Sequence, residues 1–194
     1  MAATRWILRI ACALLALVLM RLQNHNFSAT VSRPFFKRLP ITIVTAATLI
    51  AIDIFVLNGD IFHTLIRHLF SSGHTDPDVH QFVFKRLDDL LSMIWMAWLS
   101  AAVGEEIVFR MFLLEQIEKI IGSNQLVKVF ACFFAGVVFG FGHAYQGGAG
   151  ILGTSLVGLT FCAAYYLSRK NVVALILAHG IINTYWLIHL YSPN

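Results

Sequence analysis

Two adjacent carboxylates, Glu105 and Glu106, and a guanidinium at Arg110 interrupt an apolar run from about Leu90 to Leu114. Inserting an ionised side chain at membrane depth costs ~2.5–3.5 kcal/mol on insertion scales, so such groups are rare, paired and functional. The four-residue spacing puts Glu106 and Arg110 on one helix face within pairing range. Glu105 points roughly 100° away from Glu106 on a 3.6-residue helix. The spacing therefore predicts one carboxylate braced by arginine and one free to act as acid or base. Few other polar residues lie inside apolar runs: Asp53, His143, His179 and Asn183. His179 and Asn183 share a face at i, i+4, and His143 stands one turn beyond Phe139. A carboxylate in apolar surroundings has its charged form disfavoured, which makes it a better general base. Imidazole and carboxamide donors on a rigid helix face suit a developing oxyanion. Together these types fit attack by an activated water.

The elements that must carry these groups are long apolar helices. Of 194 residues, 58% are hydrophobic and only 12% charged, about half the roughly 25% charged content of a soluble domain. Mean hydropathy is +0.75. The expected architecture is all-α, a polytopic membrane bundle of about six transmembrane helices. The apolar runs are Trp6–Met20, Leu39–Leu57, a long third helix opened by Arg86-Leu87-Asp88-Asp89 and fraying near Gly122, Leu126–Phe141, Ile151–Leu167 and Val172–Leu190. Acids at the start of the third helix match its dipole. Gly136 and Gly140 have the spacing that lets helices approach closely. Tyr145–Gly150 reads as a glycine-rich turn. Between the second and third helices, Ile61, Phe62, Leu65, Ile66, Leu69 and Phe70 have the spacing of an interfacial amphipathic helix. The chain divides into 1–87, with two spans and this loop, and 88–194, with four spans and all the candidate site residues.

The net charge of +4 does not point to nucleic acid, because the basic residues sit in short loops between apolar runs. Arg21, Arg33, Lys37, Arg38, Lys119, Lys128, Arg169 and Lys170 fall on one side of a six-span bundle, which the positive-inside rule makes cytoplasmic. Arg5 and Arg9 run against that rule. Cys12, Cys132 and Cys162 lie in apolar runs without metal-like spacing and read as buried, reduced, structural thiols. His63, His68, His74 and His80 are five or six apart in a loop, not the i, i+4 spacing of a helical metal pair. Asp53, near a span end, reads as a snorkelling or capping residue. At the rise of an α-helix Glu105, Asn183, His179 and His143 lie ~18, ~17, ~11 and ~26 Å from the cytoplasmic ends of their helices, a spread that tilt can close.

Glu105-Glu106-x-x-x-Arg110, Phe139-x-x-x-His143 and His179-x-x-x-Asn183 resemble the three motifs of the CPBP (Abi) family, which includes type II CAAX prenyl endopeptidases and bacteriocin-processing and bacteriocin-immunity membrane proteins. The resemblance covers about residues 88–190, in the family's order, with no departure at the motif positions. It implies a glutamic-type intramembrane endopeptidase with no cofactor, acting in the lipid bilayer on a membrane-anchored protein or peptide near its C-terminal anchor or signal. It implies Glu105 as the base that activates water and His143 as a group that holds or polarises it. It implies His179 and Asn183 as oxyanion donors, with Glu106, Arg110 and Phe139 supporting the site. The compact chain, without long soluble insertions, suggests a prokaryotic plasma-membrane member.

Other readings stay open on the residues alone. Glu106–Arg110 and His179–Asn183 can serve as purely structural pairs. Glu105, His143 and His179 form a chemically sound zinc set, although no HExxH is present and no two of the three share a helix. A non-enzymatic immunity or scaffold protein would keep the polar set for binding. A transporter would use the acids as a proton path, but no inverted repeat is visible.

Overall fold

The structure, a computed structural model, describes residues 2–23, 35–57, 64 and 86–191. The amphipathic stretch at 61–70 and the loop histidines His63, His68, His74 and His80 lie outside the described residues. Six helical rods, and no paired sheet, account for nearly all that is described. They are α1, Ala2–Leu22, and α2, Phe35–Ala51, which continues as a π-wound turn over Ile52–Leu57. α3 is built from Leu87–Met96, a π-wound stretch Ala97–Leu113 and Leu114–Ile121. α4, Gln125–Phe141, and α5, Gly147–Leu167, are joined by a short 3₁₀ turn at Ala144–Gln146, and α6 is Val172–His189.

The all-α expectation holds. Three stretches, Arg38–Leu57, Ala144–Leu167 and Val172–His189, are by themselves long and apolar enough to cross a bilayer, and α4 is a shorter apolar helix. Six helices are therefore present among the described residues, where about six spans were expected, and three stretches meet the length criterion unaided. The apolar side chains of Leu14, Leu15, Val18, Phe55, Trp95, Leu99, Phe133, Phe141 and Leu167 all face outward. A surface so widely apolar needs hydrocarbon as its solvent, and helices satisfy their own backbone groups there. The chain is an integral membrane protein.

Local signals place the helix ends. Asn124 caps α4, its side chain accepting from the Val127 amide at 3.0 Å, and Asn171 caps α6 by accepting from the Ala174 amide. Gly122 ends α3 with φ 118°, a conformation that side chains resist. The glycine-rich segment departs from expectation: α5 already begins at Gly147, so only part of Tyr145–Gly150 is turn. α2 likewise begins at Phe35, ahead of Leu39. Pro40, inside that helix, removes a backbone donor, and the Thr42 hydroxyl donates to the Arg38 carbonyl nearby at 2.9 Å.

α3 runs through the middle, with α1 against one flank and α6 against another, and α2 packs on α6. α4 and α5 form the most intimate pair. A Cβ at Gly140 would stand 2.5 Å from the Ile151 carbonyl oxygen and would collide with Ser155, while Gly158 meets the Gly136 backbone and the Phe139 side chain. Gly140→Ala is therefore expected to lower the melting midpoint by about 5 °C, whereas Gly153→Ala, with open space around its Cβ, leaves it unchanged. Equal midpoints for the two variants in a thermal melt would contradict this packing. Trp98 of α3 lies against Gly180 of α6, where a Cβ would come within 2.5 Å of the indole, and its Nε1–H donates to Thr184 Oγ1 at 3.1 Å.

One end of the bundle is tied by polar contacts. Glu118 of α3 accepts from the Tyr166 hydroxyl at 2.8 Å and pairs with Lys170 at 3.0 Å. Gln23, after α1, exchanges hydrogen bonds with Gln116 and accepts from Lys119, both on α3. Arg38 donates to the Arg169 carbonyl, and Asn171 donates to Thr42 at 2.8 Å. Arg38, Lys119, Arg169 and Lys170 thus share one end. Two expectations need correction. Asp53 is buried and accepts from Trp186 Nε1 at 3.2 Å, so it is an interior partner of α6 and not a snorkelling residue. Cys12 is exposed on the apolar surface of α1, and only Cys162 is fully buried.

Candidate active site

The π-wound stretch of α3 buries Glu105, Glu106 and Arg110 together. π-type winding is uncommon and recurs at functional sites. Arg110 Nη1 lies 3.2 Å from Glu106 Oε1, and the two side chains are 1% and 0% exposed. The i, i+4 pair is therefore formed. Arg110 is further held by aromatic faces, its Cζ 4.9 Å from the Phe139 ring centroid and 5.3 Å from that of Phe161, and its Nη2 donates to the Gly158 carbonyl at 3.3 Å. The guanidinium thus ties α3 to α4 and α5 through a cation–π sandwich that a lysine would fill poorly.

α6 brings His179 onto the same carboxylate. His179 Nδ1 is 2.8 Å from Glu106 Oε1, and since a carboxylate can only accept, the Nδ1–H donates. The ring then presents Nε2 to Glu105 Oε2 at 3.9 Å. His143 is fixed in a similar way: its Nδ1–H donates to the Phe139 carbonyl at 2.9 Å, which leaves Nε2 free of that contact. The Phe139 ring stands between the two histidines, 4.8 Å from His143 and 6.5 Å from His179. Asn183 lies one turn beyond His179 on α6, toward the end where His143 emerges, and makes no hydrogen bond among the described residues.

Glu105 departs from the expected free carboxylate. Its Oε1 is 2.9 Å from Arg9 Nη1 of α1, with side-chain exposures of 6% and 22%. Its Oε2 is buried and has no hydrogen-bond partner. Arg9 is the functional candidate that sequence reasoning missed. Its one visible signal was a charge in the middle of an apolar run on the wrong side for topology. The site thus gathers Glu105, Glu106, Arg110, Phe139, His143 and His179 around α3 and α6, with Asn183 on the adjoining turn. Among the described residues no three His, Cys, Asp or Glu side chains converge as a metal-binding set.

A helical membrane bundle that buries paired carboxylates against a histidine of a facing helix holds a polar site inside an apolar body, and similarity gives it a family. The model of the type II CAAX prenyl endopeptidase Rce1-like family matches residues 87–185, just over half of the chain, and the chain belongs to that family. The match takes in α3 to α6 as far as Tyr185 and leaves out α1 and α2. Neither a curated protein nor a solved structure shows significant similarity to the chain.

Proposed function

We propose that the chain is a glutamate-dependent intramembrane endopeptidase that uses a water activated by Glu105. The observation that carries the reading is the unpartnered, buried Oε2 of Glu105 facing Nε2 of His179, whose other nitrogen is tied to Glu106. A buried carboxylate oxygen without a hydrogen bond is costly to keep, and a water admitted beside it, donating to Oε2 and to Nε2, would satisfy both groups. Glu105 takes a proton from that water as the oxygen attacks the scissile carbonyl. It then returns the proton to the departing amine, so the carboxylate ends as it began. His179, aimed at the same point by Glu106, holds the water rather than standing apart from it as an oxyanion donor. The oxyanion falls to the Asn183 carboxamide, while His143, whose ring proton is committed to the Phe139 carbonyl, offers Nε2 as an acceptor that helps to hold the water. Glu106, Arg110 and Phe139 keep the two histidines in register.

The substrate on this reading is a membrane-anchored protein or peptide cut near its C-terminal anchor or signal, and the protein sits as a multi-pass chain in a prokaryotic plasma membrane with its basic end in the cytoplasm. Membership of a prenyl-endopeptidase family supports the anchored substrate. No metal takes part in the steps above. Co-expression with a library of membrane-anchored candidates, followed by mass spectrometry, is expected to reveal cleaved products that persist in a zinc chelator. Loss of cleavage on chelation would replace the glutamate–water reading with a metal-dependent one. If no product formed while a partner co-purified with both the chain and its Glu105→Ala variant, a scaffold or immunity role would take its place.

A further inference from the structure

Glu105 and Glu106 place two carboxylates side by side in the bundle interior, and Arg110 pairs with only one of them. An uncompensated buried charge is strongly destabilising, so a second cation is called for. α1 supplies it. Arg9, Ala13, Ala16 and Met20 recur at helical spacing, and the last three are buried, while Ile7, Leu8, Leu14, Leu15 and Val18 face outward. Arg9 thus lies on the one stripe of α1 that faces α3. The approach is close: a Cβ on Gly104, the residue before Glu105, would be 3.7 Å from both the Ala13 Cβ and the Arg9 carbonyl oxygen. From this stripe Arg9 reaches Glu105 Oε1 at 2.9 Å, and Oε2 is left turned toward His179.

We propose that Arg9 is a positioning residue of the active site, an arginine delivered by the N-terminal helix that clamps one oxygen of Glu105 and aims the other at the attacking water. α1 lies outside the residues matched by the family model, so the α3–α6 core does not contain this cation. The assignment of a catalytic task to Glu105 rests on the proposed function, but the clamp itself does not. The charged and titratable groups around Glu105 are Arg9 on α1, Glu106 and Arg110 on α3, His143 beyond α4 and His179 on α6. Arg9 is more exposed than Glu105, Glu106, Arg110 or His179, so it forms the outer edge of the ionic cluster.

A double-mutant cycle on the full chain in lipid nanodiscs tests the clamp without any substrate. Arg9→Met and Glu105→Gln each remove one charge of the Arg9–Glu105 ion pair and are expected to lower the melting midpoint by about 5–10 °C. The double variant, with neither charge, should recover at least half of the summed loss. Additive losses, or no loss in either single variant, would overturn the proposal. The second readout uses a substrate found in the screen. Arg9→Met is expected to reduce kcat by about 100-fold with little change in KM, as misplacement of a reacting group does, and Arg9→Lys to restore at least a tenth of the wild-type kcat. A wild-type chain that cleaves, beside an Arg9→Met variant of equal kcat, would remove Arg9 from the mechanism and leave Glu105 in place. A wild-type chain that cleaves nothing would instead end the protease reading, with the melting cycle still deciding the pair. If Arg9→Met does not fold, Arg9→Gln paired with Glu105→Gln completes the cycle.

Discussion

Glu105→Gln is expected to lower kcat on a cleaved substrate by about 1,000-fold, in the middle of the range that general-base catalysis contributes, with KM nearly unchanged. Glutamine keeps the size of the side chain and can still accept from Arg9, but it cannot take a proton from water. The substituted group, not the cavity, is therefore what the rate reports. The variant should still fold, at a midpoint reduced by the loss of the ionic part of its contact with Arg9, so an activity measured below that midpoint separates chemistry from unfolding. Asn183→Ala supplies a graded comparison. Removing one oxyanion donor costs about 100-fold or more in kcat where such donors act, and this carboxamide has no structural hydrogen bond to lose. A Glu105→Gln enzyme within tenfold of wild type would remove the carboxylate from the chemistry.

The largest effect on stability is expected at Arg110. Arg110→Met leaves Glu106, with 0% side-chain exposure, without its arginine, and breaking a buried pair by removing one partner costs about 3–5 kcal/mol. For a chain of this size that corresponds to a melting midpoint lower by about 10 °C. Arg110→Lys should recover little of it. An ammonium keeps the charge but cannot at once lie flat between Phe139 and Phe161 and reach both Glu106 and the Gly158 carbonyl. Thermal melts of the three proteins in the same nanodiscs decide the matter. If Arg110→Lys melted with wild type, charge alone would hold this junction and the aromatic sandwich would contribute nothing.

The parts of the site legible in the amino-acid sequence were those whose geometry is local. Glu106–Arg110 is an i, i+4 pair, and one helical turn is enough to predict it. Phe139 and His143 meet for the same reason. The glycines at 136 and 140 announced a close helix contact without naming its partner, which proved to be α5. Contacts between distant segments were not legible. Arg9 and Glu105 are separated by most of the first half of the chain, and only the docking of α1 against Gly104 brings them together. An arginine in an apolar run reads equally well as a topology signal or as a buried partner, and the stripe it shares with Ala13, Ala16 and Met20 could be recognised only once burial was known. His179 has the same history. Its spacing to Asn183 suggested two side chains acting together, but the Glu106 carboxylate from another helix fixes the ring first. Asp53 looked peripheral because it lies near a helix end, yet the indole of Trp186 closes over it. Cys12 was placed inside because thiols are usually buried, but in a bilayer the outer surface is apolar too.

The indole of Trp98 seated on Gly180 also limits how this site can open. Gly180 follows His179 directly, so the ring acts as a key in a keyway cut beside the histidine. A slide of α6 by one turn, about 5.4 Å, would carry the key out of the glycine slot onto Ile176 or Thr184 and take His179 off Glu106. Shear between α3 and α6 would therefore dismantle the site instead of admitting a substrate. The bundle is latched along that seam, and a gate compatible with an intact site must be hung on the other helices.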